Sequence, residues 1–298
     1  MPARKGPTLM RMMLGKELRT LRLQQRSRAE AESAAGADAF TAEAVSLRVK
    51  MSRSRLSRIE AGDIPIPKIA DLEALLDELG VTDLEDRQTL RELHLESLKT
   101  DPVTTYRNVL PSGMPRYLSL EKDSKTIQGF ENAVIHGLLQ CEEYTRALMG
   151  RAKTVEERTT EAVEKSVYSR LERKSILVED REVHIILTEG TLRTLIGSPD
   201  VMRAQYAEIR SLCRMENVEV QIIPERSSAY RAPFPFTRLT FEGLPPMIQM
   251  DGWRSITIYR EEADTGSFRR QFEAMVREAP GSAETPSFLK QLEQELWT

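Results

Sequence analysis

Residues 45–81 read VSLRVKMSRSRLSRIEAGDIPIPKIADLEALLDELGV, and this stretch decides how the N-terminal part of the chain is read. It holds two short helical patterns separated by a tight break near Lys50, then a third. Ser52 is a natural N-cap for the second pattern, because its hydroxyl accepts a hydrogen bond from a first-turn amide that has no partner inside the helix. Leu56 and Ile59 lie three positions apart, on one face. Gly62 ends that helix at low strain. Pro65 and Pro67 block continuation, and KIADLEALLDELG starts a new amphipathic helix in which Ile69, Leu72, Leu75, Leu76 and Leu79 are expected to face inward.

Upstream, Leu14, Leu18 and Leu21 share a face, so a helix is expected over about 9–26 with Lys16, Arg19 and Arg22 left to solvent. The Ala-, Glu- and Ser-rich segment that follows, an insertion over 27–41, fits either an extension of that helix or an ordered loop. Downstream, residues 83–99 read as an acidic helix. Pro102, Pro111, Gly113 and Pro115 then cluster, which predicts a linker over 101–115 between domains at 1–100 and 116–298.

Past the linker the period alternates between two and 3.6, the mark of mixed structure. Short β-branched or aromatic runs predict strands at 125–135, 183–188, 218–223, 236–241, 246–250 and 255–259. Helices are expected at about 142–149, 155–176, 199–214, 261–278 and 286–297. The expected fold class is an all-α N-terminal domain followed by a mixed α/β (α+β) domain.

Charge is divided unevenly. Residues 1–68 hold 14 Lys and Arg against 7 Asp and Glu, and residues 69–100 hold 3 against 9, although the whole chain has a net charge of only -3. A basic head on an acidic body suits phosphate attraction at one end and solubility at the other. No apolar run is long enough for a membrane span, and the N-terminus lacks an export signal, so a soluble cytoplasmic protein is expected. Cys141 and Cys213 have no CxxC spacing and no histidine cluster beside them, which predicts reduced thiols rather than a disulfide or metal site.

A helix-turn-helix needs a brace helix and a second helix whose N-terminal side chains reach base edges in the major groove. SRSRLSRIEAG provides both required faces: Leu56 and Ile59 turn inward, while Ser52, Arg53, Ser54, Arg55, Ser57 and Arg58 are left for DNA, with Lys50 in the turn adding a cation. The arginine fork matches the two major-groove acceptors of guanine and also clamps phosphate. Arg53 and Ser54 are expected nearer bases and Arg58 nearer phosphate. Dimerisation is expected, since one such head makes a limited interface and two reach half-sites about one helical turn apart.

Elsewhere the ordinary explanations prevail. His94, His136 and His184 are isolated in sequence, so no metal or other cofactor is expected. Cys141, at an expected helix start, could carry a lowered pKa, but a packed, inert thiol is the stronger expectation. Glu189, opening EGTLRTL after a strand, reads as a helix cap. No GxSxG, GxGxxG or phosphate-loop pattern occurs, and no enzyme activity is expected. The loop SSAYRAPFPFTRL (227–239) places Tyr230, Arg231, Phe234 and Phe236 as candidates for a ligand or partner surface, against the alternative that its aromatics fold onto their own sheet.

The 45–81 stretch resembles the lambda-repressor-like, Xre-type helix-turn-helix, in which a brace helix, a turn, a Ser-capped reading helix ending in R-I-E-x-G and a Leu-rich helix recur in this order. Here the closing residues are Arg58, Ile59, Glu60 and Gly62. The family pattern favours Gly where Lys50 stands and Ala where Ser46 stands, and the connection before the brace helix is longer than usual. The remainder resembles a C-terminal domain of unknown function attached to such heads in regulators of Streptomyces and related actinobacteria. IQGFENAVIHGLLQCEEYTRALM, with His136 where proline is common, SRLERKSIL, LTEGTLRTLIGSPDVMRAQYAEI and VEVQIIP follow in order. The resemblance implies an antitoxin-like transcriptional regulator that binds double-stranded DNA, often encoded beside a small acidic protein that serves as its cognate partner.

Overall fold

In the computed structural model, which describes residues 6–33, 36–101, 110–178, 181–252 and 255–296, Pro7 opens helix α1 (Pro7–Glu32). Proline suits this position because its missing amide would have no intrahelical partner. The chain divides into two units, Met1–Pro102 and Val103–Thr298. In the first, α1 is followed by a short 3-10 turn (Gly36–Phe40), α2 (Ala42–Arg48), α3 (Arg53–Glu60), α4 (Ile69–Glu78) and α5 (Leu84–Ser97). Helix α1 thus continues beyond residue 26: the insertion extends it as far as Glu32 before the 3-10 turn.

The core of this unit draws Leu14 and Leu18 from α1, Val45 from α2, Leu56 and Ile59 from α3, and Leu72, Leu75 and Leu76 from α4. Ile69 departs from expectation, standing 46% exposed at the start of α4. Its helix begins one turn too early for that face to reach the core.

Arg22, expected in solvent, is buried. Its Nε and Nη2 donate to Glu60 Oε1 and Oε2 at 2.6 and 2.7 Å, and its Nη1 donates to the Phe40 carbonyl at 3.1 Å. The pairing holds the guanidinium pKa above its ordinary value, first through the hydrogen bond with Glu60. Arg22 lies four positions after Leu18, at the border of the apolar stripe, where a long side chain can turn inward if a carboxylate meets it. Two turns earlier, Gly15 lets α1 approach the end of α3: a Cβ there would lie 2.3 Å from the Ile59 carbonyl oxygen.

The second unit is built on a six-stranded sheet in the order β3-β2-β1-β4-β5-β6. Its elements are α6 (Met114–Asp123), β1 (Thr126–Glu131), α7 (Glu142–Val155), α8 (Thr160–Arg173), β2 (Glu182–Thr188), α9 (Glu189–Arg193), α10 (Pro199–Leu212), β3 (Val218–Ile223), β4 (Phe236–Thr240), β5 (Met247–Asp251), β6 (Ile256–Tyr259), α11 (Glu262–Glu278) and α12 (Thr285–Leu296). Strands β1, β2 and β3 run parallel, joined through helices, whereas β4 pairs antiparallel with the free side of β1 and leads into an antiparallel meander. The fold class is therefore an all-α helix-turn-helix unit followed by mixed α/β.

Three boundaries differ from the sequence reading. Strand β1 stops at Glu131 rather than 135. The helix expected over 142–149 runs on to Val155, and the one expected over 155–176 is shorter: α8 starts at a Thr159 cap, whose hydroxyl accepts from the Ala162 amide, and gives way after Arg173 to a 3-10 turn (Lys174–Val178). Met114 and Pro115, read as the end of a linker, form the first turn of α6, which Gly113 enters with φ 86. Linker positions 102–109 and Trp297, the expected end of the last helix, lie outside the described residues.

Phe130, Ile186, Ile223, Phe236, Ile248, Phe272 and Met275 make the core between one sheet face and α11. The opposite face is polar where β1, β4 and β5 meet, because Gly129, Thr237 and Gln249 are neighbours in register.

Replacing Arg22 with Ala leaves Glu60 buried and unpaired, and should destabilise the N-terminal unit by roughly 3–5 kcal/mol. Urea unfolding of the variant measures this. An unchanged midpoint would show that the pair does not hold α1 to α3.

Candidate nucleic-acid interface and a polar cavity

Helix α3 is short and capped at its start: Ser52 Oγ accepts from the Arg55 amide at 3.2 Å. Ser52, Arg53, Ser54, Ser57, Arg58 and Lys50 are exposed. The Arg53 side chain is 70% exposed, with Glu43 3.9 Å away, and Arg58 has no ion pair among the described residues. Arg55 differs from these. Its Nη2 donates to Asp71 Oδ2 at 2.8 Å, tying α3 to the first turn of α4. Lys68, not singled out by sequence, is exposed at the N-cap of α4 and therefore beside this link; a lysine between Pro67 and a new helix start was the available signal.

Three helices of the unit end alike. After α3 and α4, Gly62 (φ 67) and Gly80 (φ 69) take the left-handed conformation, and the next amides return to Arg58 O and Leu76 O at 2.9 Å. After α2 the same geometry falls on Lys50, at φ 53, with the Met51 amide bonded to Ser46 O at 2.9 Å. The turn between brace and reading helix is thus made as in the other two, with a side chain where glycine fits best. Ser46, buried in α2, satisfies its hydroxyl by donating to Glu43 O at 2.8 Å.

In the C-terminal unit a polar cavity opens at the end of β1, on the face opposite α11. It is lined from the sheet by Glu131, Thr237, Gln249 and Asp251, and from α8 by Arg170 and Arg173. An adjoining cavity of about 290 Å³ shares both arginines and has apolar walls from α6 and α7. Beneath it, Arg173 forms a two-pronged ion pair with Glu121, and Tyr117 OH donates to Glu121 Oε1 at 2.6 Å. These contacts outweigh burial and raise the Arg173 pKa, while burial raises that of the Tyr117 phenol.

Arg170 is held otherwise. Its Nη1 donates to Gln140 Oε1 at 2.9 Å, but no carboxylate lies within ion-pair distance among the described residues. Burial and the neighbouring Arg173 charge lower its pKa to about 10. Burial, and then the charge of Asp251, pushes the Glu131 carboxyl up to about 8. His136 is buried, kept neutral by burial and both arginines, and accepts from the Leu138 amide through Nδ1 at 3.3 Å.

The segment leading from this cavity into α7 is fixed by side-chain amides. Gln140 Nε2 donates to Ile135 O at 2.6 Å, and Gln205 bonds both Leu139 O and the Cys141 amide, at 2.7 and 2.9 Å. A family model described as a domain of unknown function, DUF5753, matches residues 114–291, more than half of the chain, from α6 into α12. The chain belongs to the DUF5753 family. A second model, described as a helix-turn-helix domain, matches residues 13–90, which makes the N-terminal unit that of a DNA-binding regulator. No curated protein and no solved structure matches the chain.

Within this DUF5753 domain the other sequence candidates fall into place around the sheet. Cys141 is buried, its thiol pushed up to about 11 by burial. Glu189, read as a helix cap, is instead the first residue of α9 and caps no amide of it: it accepts the Glu225 amide at 2.8 Å and pairs with Arg193. His184 bonds Gln221 Oε1 at 2.7 Å and sits edge-on to Phe272. His94, in the helical unit, is buried. In the 227–239 loop, Phe236 is not a surface residue but part of the core, beside Phe268 and Phe130. The Arg231 guanidinium is occupied by carbonyls of its own loop, among them Ser227 O and Ala229 O. Tyr230 and Phe234 remain exposed, at 40% and 64%, with Tyr230 OH 3.0 Å from Gln271 Oε1. Among the described residues, no helix is long and apolar enough to cross a membrane.

Replacing Lys50 with Gly should relieve the left-handed strain and stabilise the N-terminal unit by about 1 kcal/mol. Thermal unfolding detects the gain; a loss of stability would mean that the turn holds no strain at this position.

Proposed function

We propose that this chain is a sequence-specific DNA-binding transcriptional regulator that acts as a homodimer in the cytoplasm, with α3 as its reading helix and the DUF5753 unit as the part that responds to a signal. The observation that carries the reading is the exposed cationic N-terminal half of a Ser-capped helix inside a helix-turn-helix domain. Arg53 and Arg58 are the freest cations of that helix, so they serve as base and phosphate contacts. Ser52, Ser54 and Ser57 supply short hydrogen-bonding groups on the same face, and Lys50 reaches the backbone from the turn. Arg55 contributes to DNA only by sharing or releasing Asp71.

The cavity beside β1 supports a small molecule as the signal, and binding rather than catalysis is assigned to both units. A second reading, in which the DUF5753 unit docks a small cognate protein and DNA binding serves autoregulation, is favoured by the exposed Tyr230 and Phe234. Co-purification with the product of a neighbouring gene, and its loss on Phe234→Ser, would select that reading.

Fluorescence anisotropy on an operator selected from random DNA tests the interface. Arg53→Ala should weaken specific binding by about 1–3 kcal/mol if it reads a base. Arg58→Ala should weaken binding to all sequences alike and reduce the salt dependence by about one counterion. Wild-type affinity in the double variant would remove α3 as the reading helix.

A further inference from the structure

This inference deepens the reading of the DUF5753 unit as the signal-responsive part, and rests on it. Of the two half-buried arginines at the β1 cavity, Arg173 is ion-paired with Glu121, whereas Arg170, among the described residues, hydrogen-bonds only a neutral amide and feels Asp251 from beyond ion-pair distance. A partly desolvated guanidinium with no carboxylate in contact has donors left for an anion. We propose that the cavity binds a small organic monoanion, a carboxylate on an apolar body, with the carboxylate received by Arg170 and the body lodged against Met114, Leu118, Val134, Leu148 and Met149.

Four features of the cavity favour this ligand class. Its two lobes join at Arg170 and Arg173, so a polar head and an apolar tail have adjoining places. Gly137 keeps the guanidiniums uncovered, since a Cβ there would lie 2.8 Å from Arg173 Nη1 and 3.7 Å from Arg170 Nε. The Glu131 carboxyl lines the polar lobe and makes no hydrogen bond with the described residues; in its protonated form it is a donor, suited to a second carboxylate oxygen. Asp251, held by Gln249 Nε2 at 2.7 Å, adds a negative charge that disfavours a doubly charged head such as phosphate.

The same groups set the pH dependence. Facing Glu131 are Asp251 from β5, Arg170 and Arg173 from α8, and Tyr144 from α7, with Tyr117 and Glu121 of α6 behind Arg173. His136, which follows β1, stays neutral throughout. A bound carboxylate favours the protonated Glu131, so binding retains a proton that free protein loses near pH 8. Affinity is therefore full below that pH and falls as pH rises through it. An ammonium ligand would show the opposite sign.

Calorimetry on the full chain, with octanoate as the probe and octylamine and inorganic phosphate as comparisons, decides the matter. Octanoate should bind one to one while the other two do not, and Arg170→Gln should weaken it by about tenfold or more. Above pH 8 wild-type affinity should fall by up to about tenfold per unit, whereas Glu131→Gln should remain flat. If Arg170→Gln does not fold, the pH profiles of wild type and Glu131→Gln carry the decision. Binding of octylamine or phosphate in place of octanoate, unchanged affinity in a folded Arg170→Gln, or affinity that rises with pH would overturn the proposal. Octanoate binding without any change in operator affinity would leave the ligand class standing and remove the signal-responsive reading.

Discussion

The N-terminal unit depends on one buried ion pair, Arg22 with Glu60. Helix α3 is eight residues long, too short to be stable by itself, so its position must come from contacts made elsewhere. Leu56 and Ile59 supply burial but little directional information. The two-pronged Arg22–Glu60 contact supplies direction, because both nitrogens and both oxygens must lie in one plane. Gly15 then permits the helix backbones to meet, and Arg22 Nη1 extends the tie to Phe40, at the close of the insertion. The last residue of the reading helix, α1 and the connection before the brace helix are thus joined at a single guanidinium. The exposed arginines at the other end of α3 inherit their placement from it.

Such a pair brings more specificity than stability. Two ions lose hydration on burial, and their attraction offsets that loss only when geometry and remaining hydrogen bonds are good. Here both carboxylate oxygens of Glu60 have a partner and three guanidinium nitrogens are used. The Glu in R-I-E-x-G is accordingly a framework residue, although it sits within a stretch otherwise read for DNA contact. Arg55–Asp71 is the exposed counterpart, a lighter link that places α4 against α3 while remaining open to exchange with phosphate.

Periodicity made the helices and strands legible, and residues with a single dominant role were placed well: the Ser52 cap, the Gly62 end, the leucines of α4. What escaped was long-range pairing. Arg22 lies 38 positions from Glu60 and Arg173 lies 52 from Glu121, and no local pattern distinguishes a cation bound for a buried carboxylate from one bound for solvent. The cavity escaped for the same reason. Glu131, Arg170 and Asp251 come from a strand end, a helix and another strand, and only the antiparallel placement of β4 and β5 beside β1 brings them together. The aromatic loop drew attention because Tyr230, Arg231, Phe234 and Phe236 are adjacent in sequence, yet alternation and backbone capture send two of the four to structural roles.

The two units handle buried guanidinium in contrasting ways, and the contrast argues for where function lies. Arg22 and Arg173 each meet a carboxylate in two-pronged geometry, and Arg173 adds a stacking contact with the Tyr117 ring at 5.5 Å. Both are complete without anything further. Arg170, one turn before Arg173 on α8, has no carboxylate in contact among the described residues, and desolvation and the Arg173 charge lower its pKa despite Asp251 nearby. An apolar residue at that position would fill the same space without the desolvation penalty, so a fold selected for stability alone has no use for the charge. The nearby Glu131 does not neutralise it, because burial and Asp251 keep that carboxyl protonated at neutral pH. A cation with no carboxylate in contact, beside a carboxyl kept neutral, is an arrangement that a bound anion completes.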